Sequence, residues 1–349
     1  MKKIAIFNQK GGVSKTTTCY HLGCAIAGTG KQVLLVDADF QCNLTRYALG
    51  EKNYQKYCAS RSRDNIHDGL SPAFQSKITP IQPVNCPKIR DNLFLLPGHL
   101  DFTEDELPLS AAMHLSSSFG SMENLPGALD RLVSKTAEKL NIDYVLFDMH
   151  PSFSAVNQNI FICCDYFMIP MNADPFSLMA LQSLTKTLPA WERWAKKARV
   201  AFREAVYPLP LSSPTFLGYT VNHFKLRQKD GRPLKRFRDA LREISEEIGT
   251  NLLPALEKES MTLPKERYDR AAEVMKSELP CFRPYDSYCL AMVPDFKKLA
   301  ELSFKQSRPV FEVRKEKSEE PENPERQGEF GTLYRALSER VLRLTADER

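Results

Sequence analysis

No segment of this 349-residue chain approaches the ~18–20 consecutive apolar residues that a membrane-spanning helix needs. Met1-Lys2-Lys3 could open a secretory leader, but the apolar stretch behind it, Ile4-Ala5-Ile6-Phe7, stops at Asn8. A leader is therefore not expected, and a cytoplasmic protein is. The sequence also lacks any C-x-x-C. Its nine cysteines are odd in number and scattered, and the adjacent Cys163-Cys164 are expected on a buried helix. That pattern argues against paired-cysteine zinc or iron–sulfur sites and for reduced core thiols. Hydrophobic residues make up 42% of the chain, enough for a substantial core in one large domain or two small ones.

The full phosphate-loop pattern G-x-x-x-x-G-K-[ST] is missing as well. What stands near the N-terminus is Lys10-Gly11-Gly12-Val13-Ser14-Lys15-Thr16-Thr17, with Gln9 and Ser14 where that pattern wants glycines. The apolar run Ile4–Phe7 precedes it and a helix-compatible run, Thr16 to Ala27, follows. Strand, glycine turn and helix in that order turn backbone N–H groups and a helix N-terminus toward a phosphate chain. Lys15 is placed for the β/γ-phosphates and Thr16 for Mg²⁺, while Lys10 is an additional lysine at the start of the loop.

Two further segments suit a nucleotide-binding α/β core. Val33-Leu34-Leu35-Val36 reads as a buried strand that delivers Asp37 and Asp39 at its C-terminal end. Tyr144-Val145-Leu146-Phe147 leads to Asp148, then Met149-His150-Pro151-Ser152. Ligands of doubly wound folds sit at such strand ends.

K-G-G-x-x-K-T-T resembles the deviant Walker A motif of the ParA/MinD family of ATPases. Val33–Thr45 (VLLVDADFQCNLT) resembles that family's VLLVDxDPQGNxT, and Asp148–Ser152 its D-x-P-P-S. The resemblance implies a doubly wound, mostly parallel sheet flanked by helices, and ATP with Mg²⁺ as ligands. It implies that Lys10, Gly11, Gly12, Val13, Ser14, Lys15, Thr16 and Thr17 hold the nucleotide. Lys10 would reach the ATP of a second copy. Asp39 would orient the hydrolytic water, so Lys10, Lys15 and Asp39 form the expected catalytic set. Thr16 would ligate the metal directly, with Asp39 and Asp148 acting through water. The pattern is not matched throughout: Phe40 and Cys42 replace the usual Pro and Gly, Met149 and His150 depart in the second loop, and Ser14 replaces a glycine. None of these changes removes a charge, but they could alter hydrolysis. His150 is read as a structural turn residue.

Strands are expected near 2–7, 33–37, 93–96, 144–148, 166–170, 216–222 and 288–293, and helices near 15–28, 122–140, 155–162, 177–203 and 233–248. An ATPase domain over 1–313 would carry insertions at about 50–90, read as irregular, and 241–287. Ala291–Val313 resembles the family's last core segment. Asn222 and Pro294 are the candidates for the base pocket. Residues 314–330 are charged and proline-bearing and read as a disordered linker. Beyond them Leu333, Tyr334, Leu337, Val341, Leu342 and Leu344 recur at helical spacing over 331–349, an amphipathic helix expected to pack on the core rather than on a membrane.

Between Trp191 and Arg242 thirteen Lys/Arg face four Asp/Glu, a local excess of nine positive charges. Such clustering is the electrostatic footprint of sequence-independent nucleic-acid binding. Lys225, Arg227, Lys235, Arg236 and Arg238 are the candidate DNA contacts. The sequence begins at its first strand, so an N-terminal helix-turn-helix is not expected. The expected protein is a ParA-like switch that dimerises on ATP, binds DNA non-specifically, associates with the nucleoid and responds to a ParB-like or other activating partner. A regulatory scaffold with weak hydrolysis and a MinD-like membrane-positioning ATPase are the alternatives.

Overall fold

The computed structural model describes residues 1–60, 64–75, 77, 79–114, 122–225, 235–278, 286–314 and 324–347, those at 235–236, 275–278 and 324–326 by backbone alone. Its strands are β1 (Lys2–Ile6), β2 (Val33–Ala38), β3 (Lys88–Arg90), β4 (Leu93–Leu96), β5 (Tyr144–Met149), β6 (Tyr166–Asn172), β7 (Thr215–Phe224) and β8 (Cys289–Pro294). They form one sheet in the order β3-β4-β2-β5-β1-β6-β7-β8. Only the β3–β4 pairing is antiparallel. The apolar runs Ile4–Phe7 and Val33–Val36 are fully buried, as both faces of a parallel sheet must be.

The covering helices are α1 (Lys15–Gly28), α2 (Asn43–Leu49), α3 (Glu51–Ala59), α4 (Ile66–Phe74), α5 (Glu106–His114), α6 (Leu125–Lys139), α7 (Ala155–Ile162) and α8 (Pro175–Ala201). They continue as α9 (Lys235–Glu247), α10 (Leu253–Glu257), α11 (Lys265–Glu278), α12 (Lys298–Gln306) and α13 (Pro324–Leu344). Helix α1 lies tightly on the sheet at Gly23, where a Cβ would meet Leu35 Cδ2 at 2.6 Å. Strand register then sets the site. Ile6 of β1 and Asp37 of β2 both stand opposite Asp148 of β5, so three strand ends lie side by side at the C-terminal edge of the sheet, where ligands of such folds bind.

Two expectations change. The stretch 50–90 is not irregular, since it carries α3, α4 and β3. Helix α3 buries no residue, and α4 docks through Ile66 and Leu70. The stretch 241–287, expected only as an insertion, holds among its described residues the rest of α9, a π turn at Ile248–Leu252, α10 and α11. The linker expected to run to residue 330 ends earlier, because α13 begins at Pro324, a residue pre-shaped for a first helical turn. Phe330 of the next turn is buried, its ring edge-to-face with Phe296 at 4.7 Å.

Helix α13 is part of the core. Leu333, Tyr334, Leu337, Val341 and Leu344 are buried, each contributing about 1.5–3 kcal/mol. Arg340, between the leucines of that stripe, is fully buried and donates to the carbonyls of Ser287 (2.8 Å), Cys289 (2.5 Å) and Leu290 (3.0 Å). No helix among the described residues is long and apolar enough to cross a membrane.

Candidate nucleotide site

The loop between β1 and α1 turns on two left-handed residues, Gly12 (φ 71°) and Ser14 (φ 67°). Glycine takes that conformation freely, whereas Ser14 is held in it, its hydroxyl 2.5 Å from His223 Nε2. Asparagines at three strand ends brace the loop. Asn8 Oδ1 accepts the Lys10 N–H at 2.9 Å. Asn172 and Asn222, register partners on β6 and β7, donate to the carbonyls of Gly12 at 3.1 Å and Val13 at 2.9 Å. The amide of Asn222, expected near a base, is thus spent behind the loop. Pro294 is buried at the end of β8, opposite Phe224.

Lys15 is buried, and its Nζ donates to the Lys10 carbonyl at 3.0 Å. Burial lowers its pKa to about 8, against the pull of Asp148 and Asp39. Asp148 is buried and neither oxygen makes a well-formed hydrogen bond among the described residues. Burial, reinforced by Asp37, pushes its carboxyl well above the ordinary range, while nearby Thr16 and Lys15 oppose the rise. An orphaned carboxylate next to a threonine hydroxyl is the donor set a hard divalent cation takes. Thr16 and Asp148 therefore fit Mg²⁺.

The neighbouring aspartates differ. Asp37 is fully buried and bound internally, accepting the Thr45 N–H (2.7 Å) and hydroxyl (2.6 Å). Burial still raises its pKa to about 7. Asp39 sits one turn on, its Oδ1 accepting the Gln41 N–H at 2.9 Å. Asp37 is a brace, whereas the charge of Asp39 acts on both Lys15 and Asp148, raising the pKa of each.

Lys10 does not hang free. Its ammonium lies 2.6 Å from both oxygens of Asp174 and 3.1 Å from Ser177 Oγ. Asp174 is also the N-cap of α8, accepting the Ser177 N–H at 2.7 Å. Its role as a helix start was readable from Asp174-Pro175, but its pairing with Lys10 was not. Phe176 and Met179 beside it are exposed. Glu106, also unforeseen, caps α7 behind the second loop, accepting the N–H groups of Ala155 (2.6 Å) and Val156 (3.0 Å).

The basic stretch divides. Arg199 forms a buried pair with Glu192 at 2.7 Å, Arg193 and Lys196 both reach Glu259, and Arg203 pairs with Glu204. Lys197, Lys225, Arg238 and Arg242 are exposed. Arg227 lies outside the described residues, as do the side chains of Lys235 and Arg236.

A family model described as "AAA domain" matches residues 1–199, more than half of the chain. The sporulation initiation inhibitor protein Soj of Bacillus subtilis is 32% identical over 187 residues, covering 54% of this chain and 64% of Soj. The chromosome partitioning protein ParA of Caulobacter vibrioides is 29% identical over 191 residues, covering 54% and 62%. The matched stretch thus spans about half to just under two thirds of these curated relatives. Among solved structures, apo McdA of Cyanothece superposes with a TM-score of 0.59 at 15% identity, over 98% of this chain and 99% of that one. A putative plasmid partition protein of Borrelia burgdorferi bound to AMPPNP gives 0.53 at 15% identity, over 98% of each. With the two-lysine loop, the paired strand-end aspartates and this sheet order in hand, the chain belongs to the ParA/MinD family of P-loop ATPases.

Proposed function

We propose that the protein is an ATP-dependent dimerising switch that binds DNA without sequence preference and lets go on hydrolysis. One observation carries the nucleotide part: a buried lysine and a threonine at the start of α1 stand with an orphaned buried aspartate at the end of β5, the strand paired with β1. The loop N–H groups and Lys15 hold the phosphates. Thr16, with Asp148 and Asp39 through water, holds Mg²⁺, which neutralises phosphate charge when bound. Asp39 orients the attacking water. Pro294 lies at the end of the sheet past which the base would stack.

Dimerisation is supported by Lys10 and by the exposed Phe176 and Met179 next to it, an apolar patch suited to a second copy. Lys10 leaving Asp174 for a partner's phosphate would make ATP favour the dimer, since the contact exists only there. Partition or cargo positioning, with an activating partner protein, follows the names of relatives such as the chromosome partitioning protein ParA. The membrane-positioning alternative loses its element, because the apolar stripe of α13 is covered. A scaffold with weak hydrolysis keeps one argument, the left-handed Cys42 (φ 55°) where the family pattern has glycine.

The test is nucleotide binding and phosphate release. Lys15→Ala should abolish binding, and Asp39→Ala should bind ATP but lose turnover by about 10²-fold or more. Wild-type turnover in Asp39→Ala would remove the water-orienting role. A wild type that binds ATP without releasing phosphate would favour the scaffold.

A further inference from the structure

Phe40 and His150 both stand where the resembled pattern has proline, and their rings stack at 3.9 Å between centroids with planes 29° apart. One ring follows Asp39 directly, and the other lies two residues past Asp148. Prolines would stiffen the two loops separately by fixing φ in each. Stacked rings tie the loops to each other. Each loop is anchored close to its ring. On the first, the Asp39 carbonyl accepts the Cys42 N–H at 2.8 Å and closes a turn around Phe40. On the second, the fully buried Asn157 donates to the carbonyls of His150 (2.6 Å) and Ser152 (2.8 Å). His150 Nδ1 lies 3.1 Å from Ser152 Oγ, which fixes the imidazole's orientation. Both rings are only partly buried, so core packing does not account for their meeting.

We propose that the Phe40–His150 stack is a clasp between the two switch loops that positions Asp39 for hydrolysis. Neither ring carries the chemistry. They act through Asp39 and the Asp148 loop and are positioning residues. The proposal rests on the ATP-hydrolysis reading of the site. Losing one aromatic pair that acts only when Asp39 is set for attack should cost about three- to tenfold in kcat.

The experiment measures kcat and KM for ATP in wild type, Phe40→Ala, Phe40→Leu, His150→Ala, the Phe40→Ala/His150→Ala double variant, and His150→Phe. Each single loss of a ring should lower kcat about three- to tenfold with KM within about twofold. The double variant should be no slower than the slower single, since both remove the same contact. His150→Phe keeps a ring and should recover most of kcat. Phe40→Leu, which keeps apolar bulk without a ring, guards against a folding defect in Phe40→Ala. In wild type the His150 ring protons should resonate upfield and move downfield in Phe40→Ala. Additive losses, an unrescued His150→Phe or unchanged kcat in a wild type that hydrolyses ATP would overturn the clasp alone. A wild type with no phosphate release would overturn the hydrolysis reading and the clasp with it.

Discussion

Lys10 is held in its own chain by Asp174, and that pairing makes the dimer switch testable at one side chain. The Lys10 and Asp174 side chains are 20% and 33% exposed, so their bond remains open to solvent and is worth only a modest amount in water. In the proposed switch the lysine's alternatives would be Asp174 in cis and a phosphate in trans. Asp174→Asn should weaken the first without touching the second. ATP-driven dimerisation should then need less ATP, by about two- to fivefold, if the lost pair is worth roughly 0.5–1 kcal/mol. Light scattering against ATP concentration reads this directly. A right-shifted curve would mean that Asp174 supports the dimer instead. Residues of this kind were only partly legible. Lys10, Lys15, Thr16, Asp39 and Asp148 are visible because their chemistry is written in short local patterns. Asp174, Asn172 and Glu106 are not, because each acts on a segment far away in sequence through the folded chain.

Among the elements, the central strands were the most legible, since β1, β2, β5 and β6 are continuous apolar runs bounded by polar residues. Helices α3 and α4 were not. The first buries nothing and so has no apolar period, and the second contains Pro72, which reads as a breaker. Helix α13 was visible as a helix that packs its apolar stripe on the core, but its buried Arg340 was not, because an arginine between leucines looks the same whether it meets water or carbonyls. Removing 331–349 would therefore uncover core rather than trim a tail. His21 of α1 is the tie that pH can probe. It is fully buried, its Nδ1 lies 2.7 Å from the Thr17 carbonyl, its Nε2 accepts the Val310 N–H at 3.0 Å, and its ring stacks on Tyr334 of α13. Burial lowers its pKa from 6.5 to about 4. The unfolded chain takes up this proton near pH 6.5 and the folded chain only near 4, so stability is full above 6.5 and falls as pH drops toward 4. That window is worth about 3 kcal/mol. Asp37, raised by burial, titrates with the opposite sign, so the comparison must be between variants. Urea midpoints at pH 7 and pH 4.5 should differ more for wild type than for His21→Gln. Equal acid sensitivity in the two would show that His21 does not carry it.

At the scale of the whole molecule, charge decides what the dimer meets. The mild net charge of +5 is not spread evenly, and the arginines neutralised by Glu192, Glu204 and Glu259 drop out of any phosphate-binding surface. Lys225, directly after β7, and Arg238 and Arg242 of α9 remain exposed. A few such contacts would bind phosphates weakly, but in the proposed switch two copies joined by ATP would act at a high effective concentration on one duplex. ATP-loaded protein should therefore retard duplexes of unrelated sequence much better than ADP-loaded protein. Its affinity should fall with salt, log K dropping by roughly 0.9 per neutralised phosphate for each decade of concentration. Reversing Lys225, Arg238 and Arg242 to glutamate should abolish this binding and flatten the salt slope, while ATP turnover without DNA stays unchanged because none of the three lies in the phosphate site. Mobility-shift titrations at two salt concentrations, run beside phosphate release, make the comparison. If the triple variant binds DNA as wild type does, the surface lies elsewhere. If wild type binds equally with ADP and ATP, the dimer is not what gates DNA, and the switch must act on another partner.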